Sequence, residues 1–187
     1  MAKDMTLLWG SGSPPCWRVM IALEEKGLQG YNHKLLSFEK GEHKSQEVLD
    51  MNPRGQLPSF KHGSFVLNES YGACMYLESQ FKSQGNELIP RCAAEQAMMY
   101  QRMFEGLTLT QKMGTWPKAE VFSRCFAPQG VTCSSCIAYL FRFGLNEERY
   151  PKLTEYYNLL KDRPSIKTSW PPTWLDDPQA KDLLKDI

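Results

Sequence analysis

The chain has 187 residues, 42% hydrophobic and 23% charged, with 22 Lys plus Arg against 21 Asp plus Glu for a formal net charge of +1. That balance excludes disordered and collagen-like classes and leaves a globular chain long enough for one sizeable core or two modest ones. Neither charge sign gathers into a block and no apolar run nears the ~18 to 20 residues of a membrane span, so neither a nucleic-acid nor a membrane partner is expected.

The first five residues lack the apolar stretch of a secretory leader, which makes the cytoplasm the expected compartment. Residues 6–9 read as a short buried strand. A turn of Gly, Ser and Pro follows and then an amphipathic helix over residues 16–26, stopped by Gly27. Residues 31–36 alternate as a second strand, and a charged stretch leads to Asn52-Pro53-Arg54-Gly55-Gln56-Leu57-Pro58. Two short strands, at 59–60 and 65–67, flank the turn residues His62-Gly63-Ser64. Ser70 then opens a helix whose apolar side is read as Cys74, Met75, Leu77 and Phe81. The order β-α-β followed by β-β-α describes an α/β unit over residues 1–82 with a mixed four-stranded sheet.

Residues 83–92 read as a polar linker, and residues 93–187 as an all-helical second domain. Residues 93–113 carry a broad apolar stripe that includes Met99, Met103 and Leu107 in one column and Tyr100 and Phe104 in the next. A second apolar stripe occupies residues 150–163. Between them, residues 114–136 hold Pro117, Pro128, Gly130 and small polar residues, and predict an irregular connection.

The six cysteines, at 16, 74, 92, 125, 133 and 136, are scattered and read as free thiols. Cys133-Ser134-Ser135-Cys136 is a lone CxxC with no histidine downstream, too few ligands for a closed zinc site. No metal is expected.

The most informative chemistry lies at Gly10-Ser11-Gly12-Ser13-Pro14-Pro15-Cys16, a strand-to-helix turn that aims a hydroxyl and unpaired backbone N–H groups at one point. Where a thiol-disulfide unit has a reactive Cys ahead of a second Cys, this frame reads Ser13-Pro14-Pro15-Cys16. With no base beside it, Ser13 is a poor nucleophile but a good hydrogen-bond donor to a sulfur anion. A hydrogen bond to a charged partner contributes roughly 1.5 to 3 kcal/mol, which lowers a thiol pKa near 8.5 by about one to two units. The helix N-terminus adds ~0.3 to 1 kcal/mol. A bound thiol would then be largely thiolate at neutral pH. The plain alternative is that Ser13 only caps its helix, with proline in the first turn. Ser11 is the reserve candidate, because the Gly-Ser-Gly-Ser turn leaves the register open.

Three motifs, Ser-Pro-Pro-Cys-Trp-Arg from Ser13, Asn52 to Pro58, and Asn68-Glu69-Ser70, resemble in order and spacing the glutathione-binding half of glutathione S-transferases, above all the rho class with the theta, delta and zeta classes as cousins. Tyr150-Pro151-Lys152-Leu153 and Trp170-Pro171-Pro172 resemble the end of that family's helical domain. The resemblance covers about residues 5–110 and 137–187. It implies a thioredoxin-like N-terminal domain followed by an all-α domain. That second domain is truncated internally, since family members carry several tens more residues in the middle and a capping box whose Asp is missing beside Thr132-Cys133-Ser134-Ser135.

By the same resemblance, Ser13 stabilises the thiolate of glutathione, a co-substrate rather than a cofactor, for attack on small hydrophobic electrophiles. Leu57 and the cis Pro58 present backbone groups to the peptide, with Gln56 beside them. Glu69 takes the ligand's ammonium and Ser70 its γ-glutamyl carboxylate, while His43 and Lys44 fall where related classes hold the glycyl carboxylate. Tyr100, Met103 and Phe104 are the candidates for the hydrophobic co-substrate. A homodimer is implied, with the helix from Ala93 facing its mate. Two alternatives stay open: a glutathione-binding or partner protein whose catalysis is impaired by the missing segment, and thiol-disulfide exchange through Cys16.

Overall fold

The computed structural model describes residues 2–112 and 131–176. Four strands, β1 (Met5–Trp9), β2 (Asn32–Leu35), β3 (Ser59–His62) and β4 (Phe65–Leu67), form one sheet in the order β2-β1-β3-β4. β1 runs parallel to β2, with Thr6 opposite Asn32. It runs antiparallel to β3, with Leu8 opposite Ser59, and β3 and β4 form a hairpin.

Helix α1 (Pro14–Glu25) connects β1 to β2. Ser13 is its N-cap and two prolines occupy its first turn, where no intrahelical N–H partner exists for them to lose. Its other end closes in a Schellman pattern, Leu28 N–H to Leu23 C=O at 3.0 Å and Gly27 N–H to Glu24 C=O at 2.9 Å. A single 3-10 turn at Glu42–Lys44 and the short α2 (Gln46–Met51) lead into β3, and α3 (Ser70–Gln80) follows β4. The mixed four-stranded sheet and the βαβ, ββα order are as expected. Of the apolar side read for α3, Cys74 and Leu77 are buried, but Met75 is 38% exposed. A four-residue set at irregular spacing cannot all point one way on a helix with 3.6 residues per turn.

The helical half contains α4 (Ala93–Lys112), α5 (Val131–Arg142), α6 (Pro151–Leu160), α7 (Pro164–Thr168) and α8 (Pro172–Asp176). Residues 131–136, read as irregular from their small polar composition, are the first half of α5, and the segment 132–135 lies inside that helix. The rest of that irregular stretch, from 114 to 130, lies outside the described residues. No described helix is long and apolar enough to cross a membrane.

α1 is buried on two faces. Cys16, Val19, Ala22 and Leu23 join the sheet core, whereas Trp17 and Ile21 belong to the core of α5, α6 and α7. Polar pins reinforce the joint. Trp17 Nε1 donates to Ser169 Oγ at 2.9 Å, and the Glu25 carboxylate accepts from Arg163 at 2.8 Å, from Asn86 at 2.8 Å and from Ser165. Lys26 and Glu78 form a buried ion pair beneath the connection between the halves.

Candidate active site

A cleft of about 470 Å³ opens where α1 begins, walled by the turn at Glu42–Lys44, the loop from Asn52 to Pro58 and the start of α3. This is the carboxyl end of β1, where a parallel connection leaves backbone groups unpaired. Ser13, His43, Lys44, Gln56, Leu57, Pro58, Glu69 and Ser70, all singled out in the sequence, line this one space.

Ser13 Oγ accepts from the Cys16 N–H at 3.5 Å, a long cap bond that occupies a lone pair and leaves the hydroxyl proton to donate. Cys16 itself is fully buried, and its Sγ accepts from the Gly10 N–H at 3.4 Å. Burial pushes its thiol up to about 11, with the Ser13 and Gly10 hydrogen bonds and the Arg18 charge offsetting only part. A thiol so placed stays protonated at neutral pH, which removes the basis for disulfide exchange at Cys16. Ser11, the reserve candidate, is absent from the described lining, and its hydroxyl is engaged by Thr173 Oγ1 at 2.7 Å.

On the opposite wall Asn52, itself buried, shapes the loop. Its Nδ2 donates to the Gln56 C=O at 2.9 Å and its Oδ1 accepts from the Arg54 N–H at 3.2 Å. The Leu57-Pro58 bond is cis. The Leu57 peptide groups lie past the last β1–β3 pair, Leu8 opposite Ser59. Lys44 Nζ donates to the Arg54 C=O at 2.9 Å, and the His43 ring packs on Phe38 with its Nδ1 buried and unpartnered among the described residues.

Glu69, not Ser70, occupies the N-cap position of α3, and its carboxylate forms an exposed ion pair with Arg54 Nη2 at 2.8 Å. Ser70 is buried, and its Oγ accepts from Arg18 Nη1 at 2.5 Å. Arg18 is the charged lining residue to which the sequence assigned no role. It is 3% exposed, its guanidinium lies 3.8 Å from the Tyr71 ring centroid, and Nη2 reaches Cys136 Sγ at 3.4 Å. A guanidinium only donates, so the Ser70 oxygen must accept and its proton is turned elsewhere. The signal for Arg18 was present: a lone charge inside the apolar run Trp17 to Leu23, on a helix packed on both faces.

The apolar side is arranged differently from expectation. Met103 is buried with Tyr71 and Met99, Tyr100 packs against that cluster, and Phe104 is 63% exposed. None of the three is in the described lining; α4 reaches the cleft through Leu107, one turn beyond Met103. No cluster of His, Cys, Asp and Glu suited to a metal occurs among the described residues.

A βαβ–ββα sheet with a Ser-Pro-Pro-Cys turn at the cleft and a helical half docked on α1 defines a thioredoxin-like transferase architecture. The family model for the glutathione S-transferase N-terminal domain matches residues 11–85. Glutathione S-transferase A of Pleuronectes platessa is 64% identical over 225 aligned positions, covering 100% of both chains. The crystal structure of a glutathione S-transferase from the Antarctic clam Laternula elliptica superposes with a TM-score of 0.81 at 32% identity, covering 98% of this chain and 99% of that one. A Sulfitobacter glutathione transferase homologue with bound glutathione shares the fold, at TM-score 0.70 and 19% identity over 89% of this chain and 96% of that one. The chain belongs to the glutathione S-transferase family. Because 225 aligned positions face only 187 residues, 38 positions of the Pleuronectes alignment hold no residue of this chain.

Proposed function

We propose that the cleft binds glutathione and that the chain transfers its thiolate to small hydrophobic electrophiles, with Ser13 as the donor to sulfur. The observation that carries this reading is the place of Ser13, which lines the cleft at the N-terminus of α1 with a hydroxyl proton left to donate to whatever occupies the cleft mouth. Ser70, fixed by Arg18 at the start of α3, offers its proton to the γ-glutamyl carboxylate, with Glu69 beside it for the ammonium. Leu57 presents its peptide groups, with Gln56 next to it, to the cysteinyl peptide, and His43 and Lys44 supply positive or donor groups for the glycyl carboxylate. Leu107 is the wall for the apolar co-substrate. The working assembly is a cytoplasmic homodimer paired through the face that includes α4.

Ser13→Ala tests the reading. Loss of a hydrogen bond to a charged sulfur reduces conjugation at neutral pH about tenfold to a hundredfold, while glutathione still binds. Full retention of rate in this variant refutes the assignment.

The 38 unfilled alignment positions favour a second reading, a glutathione-binding protein with weak conjugation. Calorimetric binding of glutathione without measurable conjugation of a panel of electrophiles selects it.

A further inference from the structure

The loop that carries Ser13 is held from outside its own domain. Two of its internal N–H···O contacts are long, 3.4 Å from the Ser13 N–H to the Gly10 C=O and 3.5 Å from the Cys16 N–H to Ser13 Oγ. Hydrogen bonds at that length fix a group poorly. The Ser13 C=O is fixed by the Trp17 N–H at 3.0 Å, the first bond of α1, whereas the Ser11 side chain ahead of it is held at short range by α8, 162 residues further along the chain. Ser11 Oγ lies 2.7 Å from Thr173 Oγ1, and the Thr173 N–H donates to Ser11 Oγ at 3.1 Å.

Trp174 lies against the next loop residue. Gly12 has φ +74°, and a Cβ there would stand 3.1 Å from Trp174 Nε1, so glycine permits both the left-handed turn and the close approach of the indole. Trp174 is in turn wedged edge-on against Trp17 at 5.5 Å and Trp170 at 5.6 Å, which ties α8 to the helical core. We propose that Thr173 is a positioning residue: its clasp on Ser11, backed by Trp174, holds the turn so that the Ser13 hydroxyl meets the incoming sulfur.

This inference rests on the assignment of Ser13, and its test separates the two. Thr173→Val removes the side-chain bond at nearly constant volume, Thr173→Ser restores it, and Ser11→Ala removes both bonds. Ionisation of the bound glutathione thiol is followed by thiolate absorbance as pH is varied, in each variant and in Ser13→Ala. Thr173→Val and Ser11→Ala raise the midpoint by about half a unit, with glutathione affinity changed less than about twofold. Thr173→Ser behaves as the unaltered protein, and Thr173→Val adds nothing in the Ser11→Ala background.

If Ser13→Ala shifts the midpoint but Thr173→Val and Ser11→Ala leave it in place, the clasp is overturned while the assignment of Ser13 survives. If Ser13→Ala leaves it in place, both fall. Equal defects in Thr173→Ser and Thr173→Val also overturn the clasp, because a restored hydroxyl must then be irrelevant.

Discussion

At the scale of single residues, two groups at the mouth of α1 divide the chemistry by burial. Ser13 faces the cleft and keeps a proton to give, whereas Cys16, three residues on, turns into the sheet core and holds its thiol near 11. Cys74 is buried as well and pushed up to about 12, by burial first and against the nearby Arg18 charge. The thiolate is the reactive form, so at pH 8 both thiols are protonated to better than ~99% and shielded as well. Brief alkylation of the native protein followed by peptide mass mapping should therefore label the exposed Cys92 and spare Cys16 and Cys74. Rapid labelling of Cys16 would contradict its placement and reopen disulfide exchange. Cys16→Ala should leave the pH dependence of conjugation unchanged, since that residue packs rather than reacts.

At the scale of elements, α1 matters because it is fastened at both ends to something distant in sequence. At its C-terminal end the Glu25 carboxylate is 3% exposed, and burial on its own would raise its pKa. The hydrogen bonds from Ser165, Arg163 and Asn86 and the Arg163 charge outweigh burial and lower it below the ordinary carboxylate value. A lowered folded-state pKa means that the native state binds the proton less tightly than the unfolded chain. The stabilisation is thus complete above the unfolded value near 4.5 and is lost as pH falls through the lower folded value. Glu25→Gln should flatten the acid limb of a stability profile below about pH 5. At neutral pH it should cost about 2 kcal/mol, toward the low side for a buried pair because the Arg163 side chain is 38% exposed. Denaturant melts at several pH values decide this; parallel acid limbs for the two proteins would show that Glu25 carries no linkage. Gly85 adds a second contact at the same end, because a Cβ there would stand 2.3 Å from the Glu25 carbonyl oxygen and 2.5 Å from Lys26 Cα, both backbone. Gly85→Ala should lower stability by about 1 to 3 kcal/mol, read as an earlier midpoint in the same melts.

What the sequence revealed follows a physical line between local and distant contacts. Ser13 before two prolines, Asn52 ahead of the Gly55 turn, and Ser70 at a helix start are readable because caps and turns are settled within a few residues. Periodicity also located the helices from Ser70 and Ala93, but it could not orient them. It placed Met75 inside, whereas tertiary packing turns Met75 to solvent; Met103, a ligand candidate by its adaptable side chain, is closed against Tyr71 as core. Arg18 bonded to Ser70 and Ser11 bonded to Thr173 span 52 and 162 residues, and neither pairing leaves a trace in local spacing. The stretch 131–136 misled for a related reason. Small polar residues favour loops in isolation, but Ser135 and Cys136 are buried in the structure, and that packing holds the helix.

For the molecule as a whole, α1 is a shared wall. Its residues Cys16, Val19, Ala22 and Leu23 complete the sheet core while Trp17 and Ile21 complete the helical core, so unfolding either half strips apolar contact from the other. A short second domain would be marginal alone, and docking on α1 supplies burial that its own helices lack. The two halves should therefore melt together. Fluorescence weighted toward Trp17, Trp170 and Trp174 follows the helical core, and far-ultraviolet circular dichroism follows all helices, so coincident curves are expected. Glutathione bound in the sheet half at about a hundred times its dissociation constant contributes ~2.7 kcal/mol to the native state. At about 2 to 4 °C per kcal/mol for a chain of this size, it should move both curves upward together by roughly 5 to 10 °C. If glutathione moved the dichroism curve and left the tryptophan curve behind, the halves would be unfolding independently. The contact between α8 and the Ser13 loop would then lose the rigid backing that positioning requires.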